Sequence, residues 1–273
     1  MATWKSINLA LDRQIWQEDP EKYFADCLKI QDKRGQLVPL AVNTHQKKIT
    51  SAIADMRRRG VPVRIVGLKP RQTGGSTIAE AEMFHAVRYR PADAKVIAHD
   101  LETTTTLFRM ARRFYDNLPV EEQLPTEATN RKEIVFAPRE GNPGGSISVL
   151  TAGTKTAGRG TTTLYLHCSE AAYYDNAEQV MTALLNSVPE VPESMIIVES
   201  TANGMGGYFW DLWNRAKAGS SEFVAIFLCW KDFPEYSMTP PNPERFACSL
   251  TGYEQKIQTQ HKLSLDQLYW RRH

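Results

Sequence analysis

The run Lys69-Pro-Arg-Gln-Thr-Gly-Gly-Ser-Thr77 brings together an ammonium, a guanidinium, paired glycines and paired hydroxyls, directly after the apolar stretch 63–68. Glycines that bare the backbone N–H groups, a cation and a Ser/Thr hydroxyl are what a loop needs to cradle a polyphosphate and hold a hard divalent cation. Against the phosphate-loop pattern G-x-x-x-x-G-K-[ST], Gly74 and Ser76 match. Gly75 stands in place of the lysine and Lys69 in place of the first glycine. Such a loop folds back around its phosphates, so a long ammonium at its front can reach them as well as one at its back. The plainer reading of the same residues is a strand, a polar turn and a helix with a chance Gly-Gly.

A carboxylate follows at a second strand end. Thr161-Thr-Thr-Leu-Tyr-Leu-His-Cys-Ser-Glu170 is a β-prone run finishing on Glu170. ATPases with an added central strand end such a run in Asp-Glu, where the Asp helps hold Mg²⁺ and the Glu polarises the attacking water. Here Ser169 replaces the Asp and Glu170 is kept. A carboxylate at the carboxyl end of a parallel strand faces the crevice where ligands bind in open α/β sheets. A Ser-Glu pair capping a helix is the structural alternative. A third run, Met195-Ile-Ile-Val-Glu-Ser-Thr-Ala-Asn-Gly-Met-Gly-Gly-Tyr-Phe-Trp, passes from an apolar strand through Ser200 and Thr201 into a glycine-rich turn and an aromatic helix start. Hydroxyls at that strand end are placed to sense a terminal phosphate.

Four motifs in this order resemble the large terminase subunit, the ATP-driven motor that packages DNA into tailed-phage capsids. They are Lys69 to Thr77, Thr156-Ala-Gly-Arg-Gly160, the apolar run to Glu170-Ala-Ala172, and Glu199-Ser-Thr-Ala-Asn-Gly204. The resemblance spans roughly residues 40–273, and the front-shifted Lys69 is a feature of some terminases. It implies ATP and Mg²⁺ as ligands. Lys69, Arg71, Gln72, Thr73, Gly74, Gly75, Ser76 and Thr77 take the Walker A positions. Ser76 takes the Mg²⁺ position, with Ser169 able to bond a metal-held water. Glu170 takes the Walker B catalytic position, and Thr201 the position that couples hydrolysis to movement. Gln46, in Asn43-Thr-His-Gln46, resembles the glutamine that reads the adenine edge, since an amide donates and accepts at once. Arg159 resembles an arginine finger supplied to a neighbouring subunit, and Arg71 resembles one acting in cis. Arg159 is the favoured of the two.

The resemblance also implies double-stranded DNA, a portal protein and a small terminase subunit as partners, with self-association into a ring on the portal. It places the protein in the host cytoplasm, transiently at the procapsid portal. A nuclease half follows the motor in full-length family members, and the chain stops where that half would begin, so no DNA cleavage is expected of it. Two other readings compete: a helicase- or translocase-type ATPase with another nucleic-acid task, and a nucleotide-binding scaffold degenerate at Gly75 and Ser169.

These side chains need a scaffold that gathers strand ends. The expected one is an α/β P-loop fold of the added-strand, catalytic-glutamate type, with a mostly parallel sheet flanked by helices and a small C-terminal lid or linker subdomain. Helices are expected over 46–59, 76–89, about 102–118 and 178–186. Strands are expected over 63–68, 95–98, 195–199 and, as a buried strand, 223–230. Residues 134–136 and 146–150 read as paired strands about a hairpin-like turn at 141–145. The division expected is a helical extension over 1–40, a core over 41–230 and a lid over 231–273.

Composition agrees. The 273 residues suffice for one such core plus a subdomain, and 42% of them are hydrophobic. A net charge of +2 excludes a strongly basic DNA coat. No apolar run approaches the ~18 residues of a membrane helix, and the N-terminus has no apolar signal core. The four cysteines lack C-x-x-C spacing and are expected to be reduced.

Overall fold

The computed structural model describes residues 4–138, 144–154 and 163–273. Two helices, α1 (Trp4–Glu18) and α2 (Pro20–Cys27), open the chain, and a small hairpin of β1 (Lys29–Gln31) and β2 (Leu37–Pro39) follows. That hairpin turns at Gly35, whose φ of +81° is left-handed, and it interrupts what the sequence presents as a helical extension. The core then runs α3 (Thr44–Arg58), β3 (Val63–Leu68), α4 (Gly75–Tyr89), β4 (Asp93–Ala98), α5 (Leu101–Asp116), β5 (Thr126–Thr129), β6 (Glu133–Phe136), β7 (Gly145–Thr151), β8 (Tyr165–Ser169), α6 (Ala177–Leu185), β9 (Met195–Ser200), α7 (Gly207–Lys217) and β10 (Val224–Phe227).

Eight strands form one sheet in the order β10-β3-β9-β8-β4-β7-β6-β5. The pairings from β10 through to β7 are parallel, and β7-β6 and β6-β5 are antiparallel. The antiparallel pair expected of 134–136 and 146–150 is thus present, while positions 141–143 of its turn lie outside the described residues. The phosphate loop's own strand, β3, does not touch β8. Strand β9 lies between them, hydrogen-bonded to both, which is the added central strand that the Glu170 motif calls for.

The sheet's two-residue period sorts its side chains. Val66, Leu166, Cys168, Ile196 and Val198 join Met181 and Leu184 of α6 and Phe209 and Leu212 of α7 in one buried cluster. The alternate residues His167, Ser169 and Glu199 point the other way, toward α4. One strand departs from expectation. The 223–230 run yields only Val224–Phe227, and this is the sheet's edge, with Val224 and Phe227 exposed rather than buried. An edge strand has one unpaired side, so its apolar composition does not guarantee cover.

The chain divides at Phe227, and Leu228–His273 forms a second compact unit. It holds α8 (Pro243–Cys248), α9 (Gly252–His261) and α10 (Leu265–Arg272) around Phe246, Ile257, Leu263 and Leu268. Asn242, Thr251 and Ser264 cap the three helices, the last two with capping boxes closed by Glu254 and Gln267. Arg272 doubles the tie by binding Glu254 through both Nε and Nη2, at 2.7 and 2.6 Å.

Candidate active site

Strand register builds the centre of the site. Gly67 pairs with Glu199 across β3-β9, and Ser169 pairs with Glu199 across β8-β9. One row at the carboxyl end of the sheet therefore reads Gly67, Glu199, Ser169. The next residues along these strands, Leu68-Lys69, Ser200-Thr201 and Glu170, leave the sheet at the same rim. A cleft of about 600 Å³ opens there, lined by the loop residues Arg71 to Thr77 together with Lys69, Ser169, Glu170 and Thr201. His99, at the end of β4, and Tyr173 form its far wall with their rings 5.8 Å apart. A groove of about 690 Å³ lies by Glu21, Arg57, Glu82 and Glu193, at the strands' amino ends, and carries none of these motifs.

Lys69 is buried and held by two carboxylates, its Nζ 2.7 Å from Glu170 Oε1 and 3.0 Å from Glu199 Oε2. Burial pulls its pKa down, but Glu199 and then Glu170 outweigh that and hold the ammonium above its ordinary range. The ammonium that the motif moves to the front of the loop thus points into the site.

Glu170 stands in the left-handed region, φ 54° and ψ 44°, a conformation a non-glycine residue adopts only under constraint. Its side chain does not cap the short turn that follows. Instead Oε1 takes Lys69, and Oε2 accepts from the Thr201 N–H at 2.9 Å, the Thr201 hydroxyl at 2.9 Å and the Ser200 hydroxyl at 3.3 Å. The helix-capping alternative is thereby ruled out, and Thr201 is joined to Glu170 through both its backbone and its side chain.

The loop's shape rests on Gly74, with φ +76° and ψ 18°. A Cβ there would sit 2.5 Å from Gln46 Nε2. Gln46 is buried beneath the loop: its Oε1 accepts from the Asn43 N–H at 2.9 Å, closing the capping box of α3, and its Nε2 donates to Gly74 O at 3.1 Å. Asn43 adds a bond to Thr73 O. The Gln46 amide therefore braces the phosphate loop, and reading an adenine edge would require it to leave these partners. Gly75, Ser76 and Thr77 open α4, and no side chain caps that helix end. Its first-turn N–H groups face the cleft, where the helix dipole favours an anion. Arg71 and Gln72 lie exposed on the loop, and Thr73 is buried in it. Uncapped donors, a buried ammonium and the Ser76 hydroxyl fit a polyphosphate with a hard cation. Arg159 lies outside the described residues.

Glu199 is the residue whose role the sequence does not announce. It is 3% exposed, yet its Oε1 accepts from Ser76 Oγ at 2.8 Å and Ser169 Oγ at 2.9 Å, with His167 Nε2 at 3.3 Å. Burial opposes its ionisation, but Lys69 first and then His167 and Ser76 hold its pKa well below the carboxylate range. His167 is itself clamped by Glu80 of α4 at 2.9 Å, and these two carboxylates overcome burial to raise its pKa to about 9. Glu199 sits inside the strand-to-turn motif, but only the pairing with β3 and β8 reveals which groups it meets.

Comparison with solved structures identifies the architecture. The large terminase of bacteriophage HK97 superposes with a TM-score of 0.60 and 14% identity, over 90% of this chain and 51% of that one. The fold is that of a large terminase ATPase domain. The large terminase ATPase domain of Thermus phage P74-26 superposes at 0.52 with 16% identity, covering 78% of this chain and 90% of that chain. The large terminase of a thermophilic bacteriophage, in complex with ADP, superposes at 0.53 with 9% identity, over 77% and 50%. The chain thus spans about half the length of the full large terminases it matches and most of an isolated ATPase domain. No family model and no curated protein matches it in sequence. Among the described residues no helix is long and apolar enough to cross a membrane, and no three His, Cys, Asp or Glu side chains cluster as a metal site.

Proposed function

We propose that this chain is the ATPase motor domain of a viral large terminase, hydrolysing ATP with Mg²⁺ to drive double-stranded DNA into a procapsid. The observation that carries the reading is Glu170, held in a left-handed conformation at the end of β8 against Lys69 and Thr201, one strand removed from the phosphate loop. That is where a base must stand to polarise a water in line with a terminal phosphate bound at the amino end of α4.

The residues divide the work. The N–H groups of Gly75, Ser76 and Thr77 bind phosphate oxygens. Lys69 exchanges Glu170 for phosphate, which leaves the carboxylate free to orient water. Mg²⁺, held on the Ser76 side, would neutralise charge on the phosphate oxygens as the bond to the leaving group opens. Thr201, bonded twice to Glu170, passes any displacement of that carboxylate to the carboxyl end of β9. The finger is assigned to Arg159 from a neighbouring subunit, with Arg71 as a phosphate contact from the loop. A ring on a portal protein, a small-subunit partner and a host-cytoplasmic site of action belong to the same proposal.

Phosphate release from Mg²⁺-ATP at high protein concentration tests it. Wild type should turn over. Lys69→Ala and Glu170→Gln should each lose activity, the latter by roughly 10²–10⁴-fold for a general base, while Glu170→Gln keeps nucleotide binding. Mixing Arg159→Ala with Glu170→Gln should restore activity if the finger acts in trans. Nucleotide binding by wild type without turnover, with or without DNA, would favour the scaffold reading instead.

A further inference from the structure

We propose that Glu199 is the metal-side carboxylate of this site, standing in from the central strand for the acidic residue that Ser169 replaces. The inference rests on the nucleotide-site reading above.

Register makes the substitution possible. Ser169 and Glu199 are direct partners on neighbouring parallel strands, and the two-residue period turns both toward α4. A carboxylate lost from β8 can therefore be supplied from β9. Glu has one methylene more than Asp and can lean across. It does so here: Ser169 Oγ donates to Glu199 Oε1 at 2.9 Å, so the short residue on β8 holds the long one in place.

The second observation is the bond to Ser76. Its hydroxyl is the loop group that fits a hard cation, and it donates to the same Glu199 Oε1 at 2.8 Å. A hydroxyl that gives a lone pair to a cation becomes a stronger donor, and an ionised acceptor strengthens it in turn. A carboxylate accepting from the metal-binding hydroxyl is thus the arrangement that orients it for Mg²⁺. Mg²⁺ keeps several waters and needs only one or two protein carboxylates, so one Glu beside two hydroxyls suffices.

The third observation is the other carboxylate oxygen. Glu199 Oε2 is fully buried and lies 3.0 Å from Lys69 Nζ. A carboxylate oxygen accepts more than one bond, so the ion pair with Lys69 leaves it capacity for a second donor. His167, backed by Glu80, completes the support, so Ser76, Ser169 and His167 hold Oε1 while Oε2 faces Lys69 of the loop. A Glu present merely to neutralise Lys69 would need none of the contacts to Ser76 and Ser169.

The test separates metal from nucleotide. A fluorescent ADP analogue is titrated into the full chain in excess EDTA and in Mg²⁺, and Mn²⁺ bound in the ADP complex is counted from the loss of its free EPR signal. Wild type, Glu199→Gln, Ser169→Asp with Glu199→Gln, and Ser76→Ala are compared. Glu199→Gln should bind the analogue in EDTA as well as wild type, which also shows that it is folded. It should lose the tightening by Mg²⁺ and bind Mn²⁺ roughly 10- to 100-fold more weakly. The double variant, with its carboxylate moved back to β8, should recover Mn²⁺ binding. Wild-type Mn²⁺ affinity in Glu199→Gln overturns the assignment. Equal weakening of the analogue in EDTA and in Mg²⁺ also overturns it, since that marks a brace of the loop. A wild type that binds no analogue under either condition removes the nucleotide site itself, an outcome distinct from both.

Discussion

Replacing Lys69 with Met removes one charge from a buried triad and keeps the side chain's bulk. Lys69 and Glu199 have side chains 8% and 4% exposed, and Glu170 is more open at 19%. At an effective dielectric near 20, two contacts close to 3 Å represent roughly 5–6 kcal/mol each of gross attraction. Desolvation of the three groups consumes most of it, and removing one partner of a buried pair costs about 3–5 kcal/mol. Glu170 can be rehydrated from the cleft, and Glu199 keeps Ser76, Ser169 and His167 as donors, so the low end, about 3 kcal/mol, is expected. For a unit of this size that corresponds to a fall in Tm of roughly 6–12 °C. Urea denaturation of wild type, Lys69→Met, Glu199→Gln and the double variant measures it. The double variant should be more stable than the sum of the single losses implies, with a coupling of roughly 2 kcal/mol. A Lys69→Met loss under about 1 kcal/mol would refute the claim that this lysine is the counter-charge of both carboxylates.

Two further outcomes follow from backbone and burial. Gly74→Ala places a Cβ 2.5 Å from Gln46 Nε2 on a backbone at φ +76°, so a loss of roughly 2–3 kcal/mol is expected by urea denaturation; adding Gln46→Ala relieves the clash but should not restore wild-type stability, because it also removes the capping box of α3 and the bond to Gly74 O. His85 is buried among Tyr23, Phe24 and Tyr89, gives Nε2–H to Trp16 O, and has a bare Nδ1. Burial, reinforced by Arg57, Arg88 and Arg90 against the opposing Trp16 bond, lowers its pKa to about 4. Below an unfolded value near 6.5 the unfolded chain therefore binds the proton first. Stability present above pH 6.5 is lost as the pH falls toward 4, by about 2 kcal/mol at pH 5, and the wild-type-minus-His85→Gln difference in unfolding free energy between pH 7 and pH 5 should show it.

The chemistry-bearing motifs were legible because each is local. A glycine-rich run after an apolar strand, a strand ending in Glu, and a strand passing into Ser-Thr and glycines declare themselves through neighbours in the chain. The α/β alternation was legible for the same reason, since the 2 and 3.6 periods are written residue by residue. The edge position of Val224–Phe227 was not, because composition records how apolar a strand is and not how many neighbours it acquires. The β1-β2 hairpin was hidden by its length of three residues per strand.

What the sequence alone determined is the set of functional groups: a displaced lysine, a strand-end carboxylate, a loop of hydroxyls and glycines. What only the tertiary structure decided is which of them meet. The order β3-β9-β8 and its register place Glu199 between the phosphate loop and Ser169, and no spacing along the chain encodes that distance. Gln46 turns from a free amide into a brace because Gly74, 28 residues away, has no Cβ to exclude it. Parallel strands are joined by crossovers of a dozen residues or more, so side chains that share one hydrogen bond here are separated by 30 to 123 positions in sequence.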